Sequence, residues 1–129
     1  MKSSRVILGI ALASATAFTA SVAMAEQEMP PLAKKSGCTA CHAIDHKVVG
    51  PPWMEVSKKY KGVSEMSATL TDGTVIKGPP KEVLVKKVHK GGKGNWTAIT
   101  HGVPMPPYSP RVSDADIDQL VSFVLGLAK

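Results

Sequence analysis

Cysteine, aromatic residues and arginine are all scarce in this chain, and each scarcity removes a class of explanation. Of the 129 residues only Cys38 and Cys41 are cysteine. A disulfide between them would close a loop across Thr39 and Ala40 alone, and so short a loop constrains little of an unfolded chain. Aromatic residues make up 5% of the sequence, which is thin for the core of a small domain and leaves room for a large apolar ligand at its centre. Beyond residue 25 the only arginine is Arg111, against 13 lysines. Nucleic-acid readers carry arginine clusters with interleaved aromatics, so that class of partner is set aside. No internal repeat or low-complexity tract interrupts the chain.

The first 25 residues read as a leader rather than as part of the domain. Lys2 and Arg5 form a basic start, "VILGIALASATAFTASV" is apolar and rich in small residues, and Ala23-Met24-Ala25 is a small-x-small cleavage site. The alternative is an uncleaved membrane anchor; the hydroxylated residues and the cleavage site favour removal. The expectation is therefore a signal peptide over 1–25 and one exported, periplasmic domain over 26–129, free of the membrane after cleavage. That domain has 14 basic and 10 acidic residues, a net charge of +4. Its lysine-studded surface suits loose docking to acidic proteins.

Three chemistries compete for Cys38-Thr39-Ala40-Cys41-His42. A redox dithiol of the thioredoxin type needs a βαβ setting, and no strand pattern flanks the motif. Structural zinc needs four ligands in paired spacings, and the remaining His46, His89 and His101 are unpaired. Attachment of a c-type haem fits. Two thiols three residues apart on a helical turn each reach one vinyl group of a porphyrin, and the next residue turns its imidazole to the iron. Both thiols are consumed, which suits an exported chain with no other cysteine.

Short helices dominate the rest. "MPPLAKKSGC" starts with Pro31 in its first turn and stops at Gly37. "PPWMEVSKKYKG" carries Trp53, Met54 and Val56 on an apolar face and ends at Gly62. "ATLTDGTVIKG" sets Asp72-Gly73 between β-branched residues, a hairpin signal. "PPKEVLVKKVHKGG" predicts a helix from Pro79 or Pro80 to Gly91, with Val83 or Leu84 and Val88 inward and Lys86, Lys87 and Lys90 outward. "GKGNWTAITHGVPMPPYSPRV" reads as loop. The clearest helix is "SDADIDQLVSFVLGLAK", with Ser113 as cap and Ile117, Leu120, Val121, Val124 and Leu127 in one stripe; it is expected to pack on the first helix.

If His42 binds iron on one side, Met105 is the leading candidate for the other. It lies between Pro104 and Pro106, which fix φ and donate no hydrogen bond, so the loop is stiff and the thioether pre-positioned. Met29 precedes the folded region, Met54 fits a helix face and Met66 an inter-helix turn. His46 is too near His42 to cross the porphyrin plane, and His89 suits a solvated helix end. His101, beside the methionine loop, is the rival ligand; an open iron position is the third arrangement.

"GCTACHAIDHKVVGPPW", "GGKGNW", "GVPMPP" and the final amphipathic helix, in this order over most of residues 30–129, resemble the class I c-type cytochromes. The likeness is to the small bacterial monohaem carriers with a Pro-Met-Pro-Pro ligand loop. It implies an all-α cytochrome c fold of three to five short helices around one covalently bound haem c; "TLTDGTVIKGPP" departs from it as an insertion relative to the shortest members, a two-stranded hairpin or a plain loop. It implies thioethers at Cys38 and Cys41, His42 proximal and Met105 distal. Pro51 would accept the His42 Nδ1 hydrogen through its carbonyl, and Trp96 would donate its indole N–H to a haem propionate. "TAITH" lengthens the stretch after Trp96, and Phe123 stands where many relatives place Trp or Tyr. The expected function is a monomeric, non-enzymatic electron carrier. Lys34, Lys35, Lys47, Lys58, Lys59 and Lys93 would steer acidic redox partners to the haem edge. The competing functions are a haem enzyme or gas sensor, which needs an open iron position, and a docking subunit of a larger oxidoreductase that uses the hairpin as its contact.

Overall fold

The computed structural model describes residues 27–129, so the 1–25 leader lies outside the described residues. Five α-helices and one antiparallel hairpin follow in chain order: α1 (Pro31–Lys35), α2 (Trp53–Tyr60), strands β1 (Met66–Thr69) and β2 (Val75–Gly78), α3 (Pro80–Lys90), α4 (Thr97–Thr100) and α5 (Asp114–Leu125). The architecture is helical, the arrangement that the resemblance implies, with one small two-stranded hairpin. No helix among the described residues is long and apolar enough to cross a membrane.

Local chemistry sets the boundaries. Pro31 and Pro80 occupy the first turns of α1 and α3, where a missing N–H costs nothing. Ser113 accepts the Asp116 N–H at 3.2 Å and caps α5. Ile117, Leu120, Val121 and Val124 form the buried stripe of α5, and Leu127, just past its end, is buried too. The stripe is laid across α2 and α3 as well as α1. Ser57, fully buried on α2, ties the C-terminus down: its hydroxyl donates to the Leu125 carbonyl (3.0 Å) and accepts the Ala128 N–H (2.9 Å).

Several elements differ from the sequence expectation. The hairpin turn is not a two-residue Asp-Gly turn; it spans Leu70–Thr74, closed by Leu70 N–H to Thr74 O (2.9 Å) and Gly73 N–H to Leu70 O (3.0 Å). Within the expected loop, Thr97–Thr100 makes one helical turn, which ends at His101 in a left-handed conformation (φ 53°). Met66 is not in an inter-helix turn; it is buried on β1, paired in register with Gly78. Met29 does not lie outside the fold, since its side chain packs against the core. Lys87 does not point outward: it is buried. Val83 and Lys87 are four residues apart, so one helix face carries both inward.

Candidate functional site

One apolar cleft is lined by residues from the α1–α2 segment, β1, α3, α5 and the loops around Trp96 and Met105. Cys38, Cys41, His42, Pro51, Trp96 and Met105 all line it. The thiols are carried by a single 3-10 turn, Cys38–Ala40 with Cys41 as its cap; the Cys41 N–H closes the turn on the Cys38 carbonyl at 3.1 Å and the His42 N–H donates to the same oxygen at 2.9 Å. Both cysteines are free and half-buried. Burial is the main influence on Cys38, raising its pKa, with a smaller rise from the neighbouring Cys41.

The loop after the motif fixes the imidazole. The Cys41 carbonyl accepts the N–H groups of Val49 (3.1 Å) and Gly50 (2.8 Å), folding residues 42–50 back on themselves. A Cβ at Gly50 would stand 2.5 Å from Cε1 of His42, so only glycine lets the backbone lie against the ring. His42 Nδ1 is 2.9 Å from the Pro51 carbonyl oxygen and donates to it, because a carbonyl can only accept. The tautomer then leaves Nε2 as a lone pair. Burial lowers the His42 pKa, the Pro51 bond acts in the opposite sense, and the Lys87 charge lowers it further. A neutral imidazole held by one nitrogen, with the other free, is the form that ligates a metal.

Met105 lies on the loop between α4 and α5 and lines the same cleft. Its N–H donates to the Gly92 carbonyl (3.0 Å) and its carbonyl accepts the Gly92 N–H (2.9 Å). His101 does not line the cleft; it is exposed, with Nε2 3.2 Å from Lys47 Nζ. Trp96 is half-buried, edge-on to Tyr60 (centroids 6.4 Å apart) and 4.6 Å beneath Lys59 Nζ. The donor set suits a porphyrin. Two thiols, an imidazole and a thioether all line the cleft. The walls are apolar, and Thr100 Oγ1 in one of them is the buried side-chain oxygen that lacks a partner among the described residues.

The sequence profile of the family described as "Cytochrome c" matches residues 27–128. The chain belongs to the cytochrome c family. The cytochrome is 40% identical over 96 residues to cytochrome c-551 of Allochromatium vinosum, covering 74% of this chain and 82% of that protein. It is 35% identical to cytochrome c-552 of Hydrogenobacter thermophilus, covering 74% and 78% of the respective chains. The crystal structure of wild-type Nitrosomonas europaea cytochrome c552 superposes with a TM-score of 0.57 at 33% identity, over 74% of this chain and 95% of that one. The cofactor is accordingly one covalently bound haem c, for which Cys38-Thr39-Ala40-Cys41-His42 supplies the attachment motif. Its role is electron transport.

The cytochrome also places residues in the cleft that sequence reasoning did not. Lys87 Nζ donates to the Gly92 carbonyl inside the cleft wall, and burial lowers its pKa to about 8. The i, i+4 relation to Val83 was the available signal. Met66, Ala68 and Tyr60 line the cleft as part of the core. Around the cleft mouth Val48 (41% exposed), Val49 (40%) and Val103 (50%) present apolar surface to solvent.

Proposed function

We propose that this cytochrome is a periplasmic monohaem carrier that passes single electrons between redox proteins, with its iron held between His42 and Met105. The observation that supports this reading is that His42, Met105 and both thiols line one and the same apolar cleft. Residues 1–25 act as the signal peptide and 26–129 as the exported domain. Cys38 and Cys41 would hold the haem through two thioethers, an attachment that consumes both thiols with no net redox change. Bound haem supplies a one-electron ferric/ferrous couple.

The chain's own residues set the conditions for that couple. The Pro51 carbonyl holds the His42 ring and its tautomer. The prolines around Met105 restrict the loop, so little entropy is lost when the thioether is fixed. The apolar wall from Trp53, Val56, Leu120 and Val124 excludes water, and a soft thioether in a dry site favours the reduced state. Lys87 and Trp96 serve the propionate carboxylates. The six lysines at positions 34, 35, 47, 58, 59 and 93 are all exposed and, with the exposed valines at the mouth, suit brief docking of acidic partners. His101 is turned to Lys47 rather than into the cleft, which favours the carrier over a haem enzyme or sensor.

The test is a potentiometric titration joined to electron exchange with small charged reagents. The protein takes up one electron per chain. Its ferrous form is oxidised by anionic ferricyanide at a rate that falls several-fold as ionic strength rises through about 0.1 M, while a cationic oxidant shows the opposite trend. A protein that is high-spin when purified, or whose exchange with both reagents ignores salt, sinks the carrier reading or its basic docking face respectively.

Lys87 gives a second test. Lys87→Met removes a positive charge near the cleft, which disfavours the electron-rich state and lowers the midpoint potential by about 40 mV, the equivalent of about 1 kcal/mol at an effective dielectric constant of about 20. Burial lowers the Lys87 pKa to about 8. A carboxylate partner favours the ammonium and moves the value back up. The wild-type potential therefore falls as pH rises through a wave at or above about pH 8, as the ammonium loses its proton. The variant lacks that wave. Identical pH profiles for the two proteins would show that Lys87 does not act on the couple.

A further inference from the structure

Two consecutive glycines are all that separates the hairpin from the loop carrying Met105. A Cβ at Gly91 would lie 2.4 Å from the Met105 carbonyl oxygen and 2.8 Å from the Pro107 nitrogen. A Cβ at Gly92 would lie 2.5 Å from the Thr69 carbonyl oxygen and 2.7 Å from the Leu70 carbonyl carbon. The two residues have φ of 72° and 126°, both in the region that favours glycine. Three backbone segments are thus stacked without side chains between them: the end of β1, the Gly91–Gly92 segment, and Met105–Pro107.

Hydrogen bonds cross both seams. On the methionine side, Gly92 and Met105 exchange two, at 2.9 and 3.0 Å. Within Pro104–Pro107 only Met105 has a backbone N–H, so this pair uses the sole donor that loop owns. On the hairpin side, the Thr71 hydroxyl donates to the Lys90 carbonyl (2.9 Å). The Asn95 amide donates to the Ser67 carbonyl (2.6 Å), and the Gly94 N–H to the Thr69 carbonyl (3.4 Å). The hairpin is itself anchored, since Met66, Ala68 and Leu70 are buried beneath it.

We propose that the hairpin is a clamp on the distal ligand: it backs the Gly91–Gly92 segment, which in turn holds Met105 toward the cleft, with Thr71, Gly92 and Asn95 as its positioning residues. This rests on Met105 being the iron ligand. A loop tied by one backbone pair leaves the iron whenever that pair slides. A wall immediately behind Gly92 removes the space into which it would slide. The insertion then acts on ligand retention and not on partner contact.

Cyanide binding to the ferric holoprotein reads this directly, because cyanide enters only when the sulfur has left, so its association rate scales with the open fraction. The variants are Thr71→Val, which deletes the hydroxyl; Thr71→Ser, which restores it; and Gly92→Ala, which forces the seam apart. Lys77→Ala, on the outer strand in an exposed pair with Glu65, and Leu127→Val, in the core cluster that does not include Met105 and off the cleft lining, are the controls. Thr71→Val raises the rate about threefold, the effect of one lost hydrogen bond. Thr71→Ser returns it to wild type. Gly92→Ala raises it by about tenfold or more and weakens the long-wavelength sulfur-to-iron band, through the clash and the unfavourable φ. Neither control moves it. Should Gly92→Ala fail to fold, the Thr71 pair decides alone. If wild type shows the band but the Thr71 variants match it in rate, or if Leu127→Val raises the rate as much as Thr71→Val does, the clamp is wrong and the ligand assignment stands. If wild type lacks the band and takes up cyanide at once, Met105 is not the ligand and the clamp falls with it.

Discussion

Protein carrying Cys38→Ala and Cys41→Ala together is expected to contain no covalently bound haem: its intact mass lacks the haem increment and its denatured form shows no haemochrome. Either single variant retains one thioether. The α-band of its haemochrome then moves to longer wavelength because one vinyl group stays conjugated with the ring. The expectation follows from placement. Both thiols sit on the 3-10 turn at the edge of the cleft, and the Cys41 carbonyl orders the loop that carries His42. A double variant that still carries covalent haem would remove Cys38 and Cys41 from the attachment site.

The loss extends to the fold. With an aromatic content of 5%, the chain arranges Trp53, Val56, Leu120 and Val124 around a central cleft in place of a solid core. Without its ligand the cleft must stay open, fill with water or collapse. Each choice forfeits burial at about 25 cal/mol per Å² of apolar surface. The double variant is therefore expected to show a broad, low-temperature unfolding transition by circular dichroism, where the haem-bearing protein unfolds cooperatively. An equally sharp transition at an unchanged midpoint would show that the domain is stable without the cofactor at its centre.

How much of this was legible in advance depended on the range of the interaction. The attachment motif is local: five consecutive residues on one turn carry its chemistry, so spacing alone speaks. The α5 stripe and its Ser113 cap are also local, and the helix lies where the period placed it. The bond from His42 to Pro51 spans nine residues in one loop; family resemblance supplied that expectation, since spacing does not encode it. Lys87 failed because lysine was assigned outward by type. Helix geometry, in which Lys87 follows the fully buried Val83 by four, overrules residue type. Met66 failed because the hairpin was treated as an external insertion. Its inward residues line the cleft, which only tertiary contact decides. Gly91-Gly92 looked like a plain helix stop; its second use, admitting a backbone on either side, is invisible without the partners.

Replacing Met105 by alanine is expected to change the iron without removing the haem. The attachment residues belong to a different segment, so the variant is exported with a normal covalent haem content. The ferric spectrum loses the weak long-wavelength sulfur-to-iron charge-transfer band and gains high-spin character. Cyanide and imidazole then bind without waiting for a ligand to leave. Losing a thioether that favours ferrous iron lowers the midpoint potential by on the order of 100 mV or more, within the roughly 0.8 V that axial ligands span. His101→Ala leaves all of these unchanged, because His101 is exposed and engaged with Lys47 outside the cleft. The two variants separate the candidates cleanly. If His101→Ala abolishes the native spectrum and Met105→Ala preserves it, the ligand loop must rearrange around the haem. The left-handed turn at His101 would then be the hinge that lets it do so. If neither variant alters the spectrum, both are excluded, and the buried Met66 on β1 becomes the methionine to replace next.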